Sequence, residues 1–315
     1  MTDRKSLPQQ NGKLCLTDGG VETVLLFQKG IDLPGFATFP ILDRDGGEDL
    51  FEDYLMDYVD IAHRHKHGLI LDTHTWRANP DWGGKLGYDR KELTSAHRRS
   101  TEFLERLRKG NEREETPILI SGSIGPRGDG YQASEVMTPE EAASYHRFQT
   151  QLFADSAVDF VSAMTITNVD EAAGIVRAAA EFDLPVVISF TVETDGCLPS
   201  GQPLHQAIRE CDALSDSYAS YYMINCAHPS HFSETLEVGS EWLERLGGVR
   251  VNASRLSHEE LDNAEVLDDG DPAELGKEVS ELFGRIPSLN VLGGCCGTDS
   301  RHVAEIACAI GEQSR

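Results

Sequence analysis

Eight short apolar runs, rich in β-branched residues, recur along the chain with room for one helix between each pair. They cover residues 14–18, 69–75, 117–124, 158–166, 185–192, 221–226, 249–253 and 289–293. Runs of this length and composition read as strands. Residues 118–120 and 186–190 are apolar without alternation, the pattern of parallel strands covered on both faces. The intervening segments carry helix-start signals. Thr138-Pro139-Glu140-Glu141 combines an N-cap, a proline at the first helical position and a glutamate that closes a capping box. Asp271-Pro272-Ala273-Glu274 repeats the device, and Asn168-Val169-Asp170-Glu171 does so without the proline. Further helices are expected over 48–67, 90–109, 203–214, 231–246 and 300–310, one after each strand. Eight such βα units in 315 residues fit a closed (β/α)8 TIM barrel better than an open doubly wound sheet. No break in composition divides the chain, so residues 1–315 are expected to form a single α/β domain.

Charge narrows the partners. The chain has 28 Lys and Arg against 53 Asp and Glu, a formal net charge of -25, which opposes binding to nucleic acid or to an anionic membrane. Residues 1–11 are polar and lack the apolar core of roughly 7 to 15 residues that marks a signal peptide. No apolar stretch approaches the roughly 20 residues that cross a bilayer, so a cytoplasmic protein is expected. Seven cysteines without a disulfide framework read as free thiols or metal ligands in a reducing compartment. Cys15, Cys197, Cys211 and Cys308 have no evident partner in the sequence and read as inert thiols.

The other three share a location. A (β/α)8 barrel builds its active site at the C-terminal ends of its strands. Cys226 closes the sixth run, Cys295 and Cys296 follow the eighth, Asp18 closes the first and Thr73-His74-Thr75 the second. Three thiols on one rim match a zinc site with a fourth position free, the layout of a catalytic rather than a structural zinc. The glycines around Cys295 and Cys296 permit a backbone tight enough for adjacent side chains to face one centre. Spacing alone also admits packed core thiols or a vicinal disulfide.

Five motifs then carry a resemblance: Leu16-Thr17-Asp18-Gly19-Gly20-Val21-Glu22-Thr23, Ser121-Gly122-Ser123-Ile124-Gly125-Pro126, Ile188-Ser189-Phe190, Ile224-Asn225-Cys226 and Gly293-Gly294-Cys295-Cys296-Gly297-Thr298. Over nearly its whole length the chain resembles the homocysteine S-methyltransferases. The resemblance implies the barrel, Zn2+ on Cys226, Cys295 and Cys296, and methyl transfer from a small onium-type donor to homocysteine, forming methionine. The partners would be a small-molecule thiol acceptor and a methyl donor. Zinc would hold the acceptor as the thiolate, so no catalytic residue beyond the zinc centre is required. Asp18 and the Gly19 amide match the position that holds the amino-acid end of homocysteine, and Asn225 is grouped with the substrate contacts.

Two stretches depart from the family. Met164 occupies the place of a glutamate that holds the substrate ammonium, which would forfeit about 1.5 to 3 kcal/mol, or roughly 10- to 150-fold in affinity. Asp72-Thr73-His74-Thr75-Trp76-Arg77-Ala78-Asn79 stands where the family commonly has Thr-Asn-Thr-Tyr-Gln. Trp76 either offers an aromatic face to the onium group, worth up to about 2 kcal/mol, or packs structurally. Arg77 either meets a carboxylate or lies on the surface. His74 is expected to be hydrogen-bonded at the rim, because a fourth ligand would close the site. The leading reading is a zinc-dependent thiol S-methyltransferase. Its alternatives are an altered acceptor thiol and a non-catalytic zinc- or thiol-binding barrel. Zinc-activated hydrolysis is disfavoured, since three thiolates weaken the acidity of bound water.

Overall fold

Each expected run becomes a strand in the computed structural model, which describes residues 7–133 and 136–312. The first six residues of the polar N-terminal stretch therefore lie outside the described residues. The strands are β1 (Cys15–Leu16), β2 (Gly68–Asp72), β3 (Ile118–Ile124), β4 (Phe160–Ile166), β5 (Val186–Phe190), β6 (Tyr221–Ala227), β7 (Leu246–Val251) and β8 (Val291–Gly294). Every strand is parallel to the next and β8 returns to β1, closing a (β/α)8 TIM barrel. Helices Gly47–His65, Arg90–Asn111, Pro139–Ala154, Val169–Ala180, Leu204–Leu214, Pro272–Arg285 and Ser300–Gly311 form the outer ring. No helix among the described residues is long and apolar enough to cross a membrane.

Two local expectations are corrected. Residues 231–246 do not form one helix: a short helix Pro229–Phe232 gives way to 3-10 turns at Ser233–Thr235 and Glu241–Arg245. Gly239, at φ +90°, holds a left-handed conformation that a right-handed helix cannot continue through. The second concerns Glu171. Thr138 and Glu141 close a true capping box, and Asp271 caps the amides of Ala273 and Glu274. Asn168 also accepts from Glu171 N at 2.9 Å. The Glu171 carboxylate instead turns inward, to His146 Nε2 at 2.9 Å and Arg127 N at 2.7 Å. A surface cap is thereby traded for a buried tie on the loop after β3.

Inside the barrel the two-residue period of a strand sorts chemistry by height. Cys15, Ile70, Leu119, Phe160, Val187, Met223 and Val291 pack together as an apolar floor, joined by Leu7 and Tyr221. Two residues further along each strand stand Thr17, Asp72, Ser121, Ser162, Ser189, Asn225 and Gly293. Every one is polar or lacks a side chain. Continuous hydrophobicity thus ends at one level in all these strands, and the polar layer above it leads to the rim. The floor is sealed from below by Gln9, whose Nε2 donates to the Tyr221 hydroxyl at 3.1 Å.

Candidate metal centre

At the end of β6 the register slips between Asn225 and Ala227, leaving Cys226 at φ +58°. A left-handed backbone at a non-glycine residue persists only where its surroundings enforce it. His258 does so from above, with Nε2 2.8 Å from Cys226 O. β4 carries a matching irregularity between Ala163 and Ile166, with Thr165 at φ +62°. Asn225 ties the two together: its Oδ1 accepts from Thr165 N at 2.9 Å, and its Nδ2 donates to Thr165 Oγ1 at 2.8 Å. The same Nδ2 lies 3.9 Å from Cys295 Sγ. Asn225 thereby acts as a clamp between two strained strand ends.

The other two thiols stand on a loop that packs against the first motif. Cys295 N donates to Val251 O at 2.8 Å, Thr298 Oγ1 closes back on Cys295 O at 2.7 Å, and Gly297 takes φ +79°. A Cβ on Gly20 would come within 2.5 Å of Cys295 O, so the Asp18-Gly19-Gly20 turn needs its glycine to let this loop approach. The result brings the sulfurs of Cys226, Cys295 and Cys296 within 4.8 Å of one another, with Cys226 and Cys296 at 3.4 Å. All three are free thiols, which sets aside the vicinal disulfide. Tetrahedral bonds of about 2.3 Å to zinc place sulfurs about 3.8 Å apart, so the donor set and spacing fit that ion. No other group of three such ligands occurs among the described residues.

The cluster shares its protons unequally. Cys295 is held well below the usual thiol range by bonds from Cys226 and Cys296, with further help from the Arg250 charge. Those bonds push Cys226 well above it. In Cys296 the bond from Cys226 lowers the thiol, but the bond to Cys295 and burial outweigh it, and it too stands well above that range. Tyr131 covers the group, its hydroxyl 3.2 Å from Cys226 Sγ and 3.5 Å from Cys296 Sγ. Its ring stacks on His258 at 4.2 Å.

Beside the thiols lies a buried charge group that sequence reasoning missed. Arg250, on β7, pairs with both Asp18 and Asp72 and gives its Nε to Gly294 O at 3.2 Å. Asp18 also accepts from Tyr54, which accepts from Tyr58, each at 3.2 Å. Gly19 lies against this chain, where a Cβ would sit 2.8 Å from the Tyr58 hydroxyl. Burial pushes the Asp18 carboxyl up to about 6, against the lowering effect of Arg250. Glu22, half-buried on the short helix Val21–Thr23, is pushed up to about 7, chiefly by burial and further by Cys295 and Asp18.

The profile described as homocysteine S-methyltransferase matches residues 15–310. The chain belongs to the homocysteine S-methyltransferase family. It is similar to a homocysteine S-methyltransferase of Bacillus subtilis, 24% identical over 204 residues that span 60% of each chain. Homocysteine S-methyltransferase 2 of Arabidopsis thaliana is 25% identical over 329 residues, 93% of this chain and 92% of that one. Among solved structures, the oxidized form of the Escherichia coli homocysteine methyltransferase gives a TM-score of 0.72 at 19% identity, over 94% of this chain and 95% of that one. Its metallated form gives 0.70 at 18% identity, over 94% and 96%.

At the two stretches expected to depart from the family, the structure shows how the side chains are placed. Met164 is buried, and its carbonyl accepts from Trp76 Nε1 at 3.0 Å. The cation over the Trp76 ring is Arg77, 3.9 Å from its centroid and equally 3.9 Å from that of Trp82. Arg77 is only 5% exposed, so it does not lie on the surface. His74 differs from expectation as well. It is buried beneath the rim, stacked on Phe51 at 3.7 Å, with Nε2 lacking a partner. Burial lowers its pKa to about 3, so it stays neutral and stands outside the thiol group.

Proposed function

We propose that the chain transfers a methyl group from a small onium-type donor to a thiol held at Cys226, Cys295 and Cys296, with homocysteine as acceptor and methionine as product. The observation that carries this reading is the meeting of three sulfurs, within 4.8 Å, at the mouth of the barrel. Zn2+ on these residues would supply a Lewis acid that keeps an acceptor thiol deprotonated at neutral pH. In the transfer, a sulfur lone pair forms the new S–C bond while the donor's bond to the same carbon breaks, and the donor leaves as a neutral amine or thioether. Asn225 and His258 hold Cys226 in its strained geometry, and Arg250 reinforces the negative charge on Cys295. Free cysteines throughout the described residues suit the cytoplasm.

A second reading, a different acceptor thiol, is favoured by two observations. Met164 brings no charge, and Asp18 is already paired with Arg250 and bonded by Tyr54. Metal content and methyl transfer to homocysteine, measured in wild type and in Cys296→Ala, test both. Zinc and turnover in wild type, both lost in the variant, support the primary reading. A zinc-free wild type sinks the mechanism. Zinc without homocysteine turnover favours the changed acceptor, and binding without transfer to any thiol favours a non-catalytic barrel.

A further inference from the structure

Arg77 is 95% buried by residue surface, yet it forms no ion pair among the described residues. Its Nη1 donates to Gly128 O at 2.9 Å, and its Nε is buried without a partner. The Arg77 guanidinium carbon lies over both the Trp76 and the Trp82 rings, 3.9 Å from each centroid. Holding Gly128 needs only a neutral donor, and Trp82 Nε1 already supplies one at 3.3 Å. A desolvated cation without a counter-ion is costly, and cation–π contacts offset only part of that cost.

The position of Arg77 connects it to the thiols. A Cβ on Gly130 would lie 3.4 Å from Trp76 and 3.3 Å from Thr165, and the next residue, Tyr131, reaches Cys226. Asp129, Glu22 and Glu171 act on the guanidinium only from beyond ion-pair distance, and Glu22 also feels the charges of Cys295 and Asp18. Arg77 thus stands just after β2 without an ion pair, whereas Asp18 and Glu22 follow β1, the three cysteines lie at the ends of β6 and β8, and the other cation of the mouth, Arg250, is already paired with Asp18 and Asp72.

We propose that Arg77 anchors the carboxylate of a zwitterionic substrate whose cationic end faces Glu22 and the cysteines. The planar fork over two indoles matches a carboxylate in two-point contact. This rests on the methyl-transfer reading for its choice of substrate, but its test is equilibrium binding. Trp76 and Trp82 are two of only three tryptophans in the chain, so intrinsic fluorescence reports on Arg77 directly.

Two ligand pairs separate donor from acceptor: glycine betaine against choline, and homocysteine against 3-mercaptopropylamine, each pair differing at the carboxylate. In wild type the carboxylate member of at least one pair is expected to bind roughly 10- to 150-fold more tightly, and in Arg77→Gln that ratio falls close to one with the carboxylate-free ligand unchanged. Arg77→Lys, which keeps the charge and loses the fork, should give an intermediate ratio. The pair that responds identifies the substrate held. An unchanged ratio in a folded Arg77→Gln, or no carboxylate preference in wild type, overturns the proposal. Should neither variant fold, competition by acetate in wild type decides, and its absence overturns the anchor. Collapse of the ratio without any methyl transfer would keep the anchor while rejecting the methyl-transfer reading.

Discussion

Cys15 and Cys295 lie on strands that pair with each other or directly beyond one, yet their thiols behave oppositely. At the floor, Cys15 packs among Ile70, Leu119, Phe160 and Val291 and is fully buried. Burial pushes its pKa up to about 12. At the mouth, Cys295 is drawn well below the usual thiol range by two neighbouring thiols and Arg250. Burial acts on both in the same direction, so the difference comes from the partners. An apolar floor gives the barrel a rigid base, while the mouth gathers charges that would be costly anywhere else in the core.

The sharpest way to break this contrast is to exchange the treatment of the two ends. Cys296→Ala should remove the metal and with it methyl transfer, a loss exceeding the about 10- to 100-fold in affinity typical of supporting residues. Cys15→Ala should retain both, at a stability cost of about 1 kcal/mol. Elemental analysis and an activity assay decide, and loss of metal in Cys15→Ala would refute the division.

Next in size is the charge group. Arg250→Met leaves Asp18 and Asp72 buried without their cation and should destabilise the fold by about 3–5 kcal/mol. Tyr221→Phe, which removes one hydrogen bond from Gln9 at the floor, should cost only about 1–3 kcal/mol. Urea unfolding of the two variants orders them, and an equal cost would blur the contrast.

A smaller effect concerns pH. His74 and His97 are buried and neutral, with pKa values lowered by burial to about 3 and about 4. Their folded values lie below the unfolded value of about 6.5, so the stability they contribute is complete above that pH and is lost as pH falls towards 4. Asp18, raised to about 6, has the opposite sign: its contribution is present below the unfolded value of about 3.9 and is lost as pH rises through 6. Glu22, raised to about 7, acts as Asp18 does, but His67 and His228 are also lowered to about 4, so four histidines oppose two carboxyls. Melting temperature should therefore fall between pH 6.5 and 4, and His97→Gln should flatten that fall. The smallest expected change is in native thiol alkylation at neutral pH, where mass spectrometry should find Cys15 unmodified.

Legibility varied with the range of the interaction. The strands could be read because each one's buried faces are recorded in its own residues, and the capping box at Thr138 because its partners are three residues apart. The helix expected over 231–246 failed at Gly239, whose φ of +90° outweighs the surrounding apolar spacing. Arg250, flanked by Val249 and Val251 in an apolar strand, gave no sign that it faces inward, and its partner Asp18 is 232 residues away. Tyr131 lies in a loop with no motif of its own. Its only signal was that it follows Ser121-Gly122-Ser123-Ile124-Gly125-Pro126, at the end of a strand whose rim was already suspect.

By itself the sequence determined the order of eight strands, the level at which their inward positions turn from apolar to polar, and the thiols available at the rim. These follow from local rules, the two-residue period of a strand and the burial of apolar runs, which act within a few residues. Only the tertiary structure decided which thiols share protons, which carboxylate is already paired and which cation is left without a partner. Those outcomes depend on distances of a few ångströms between residues 70 to 232 positions apart, such as Cys226 and Cys296 or Asp18 and Arg250. Electrostatic interactions change steeply over that distance inside a protein, so the same side chain is inert at the floor and charged at the mouth.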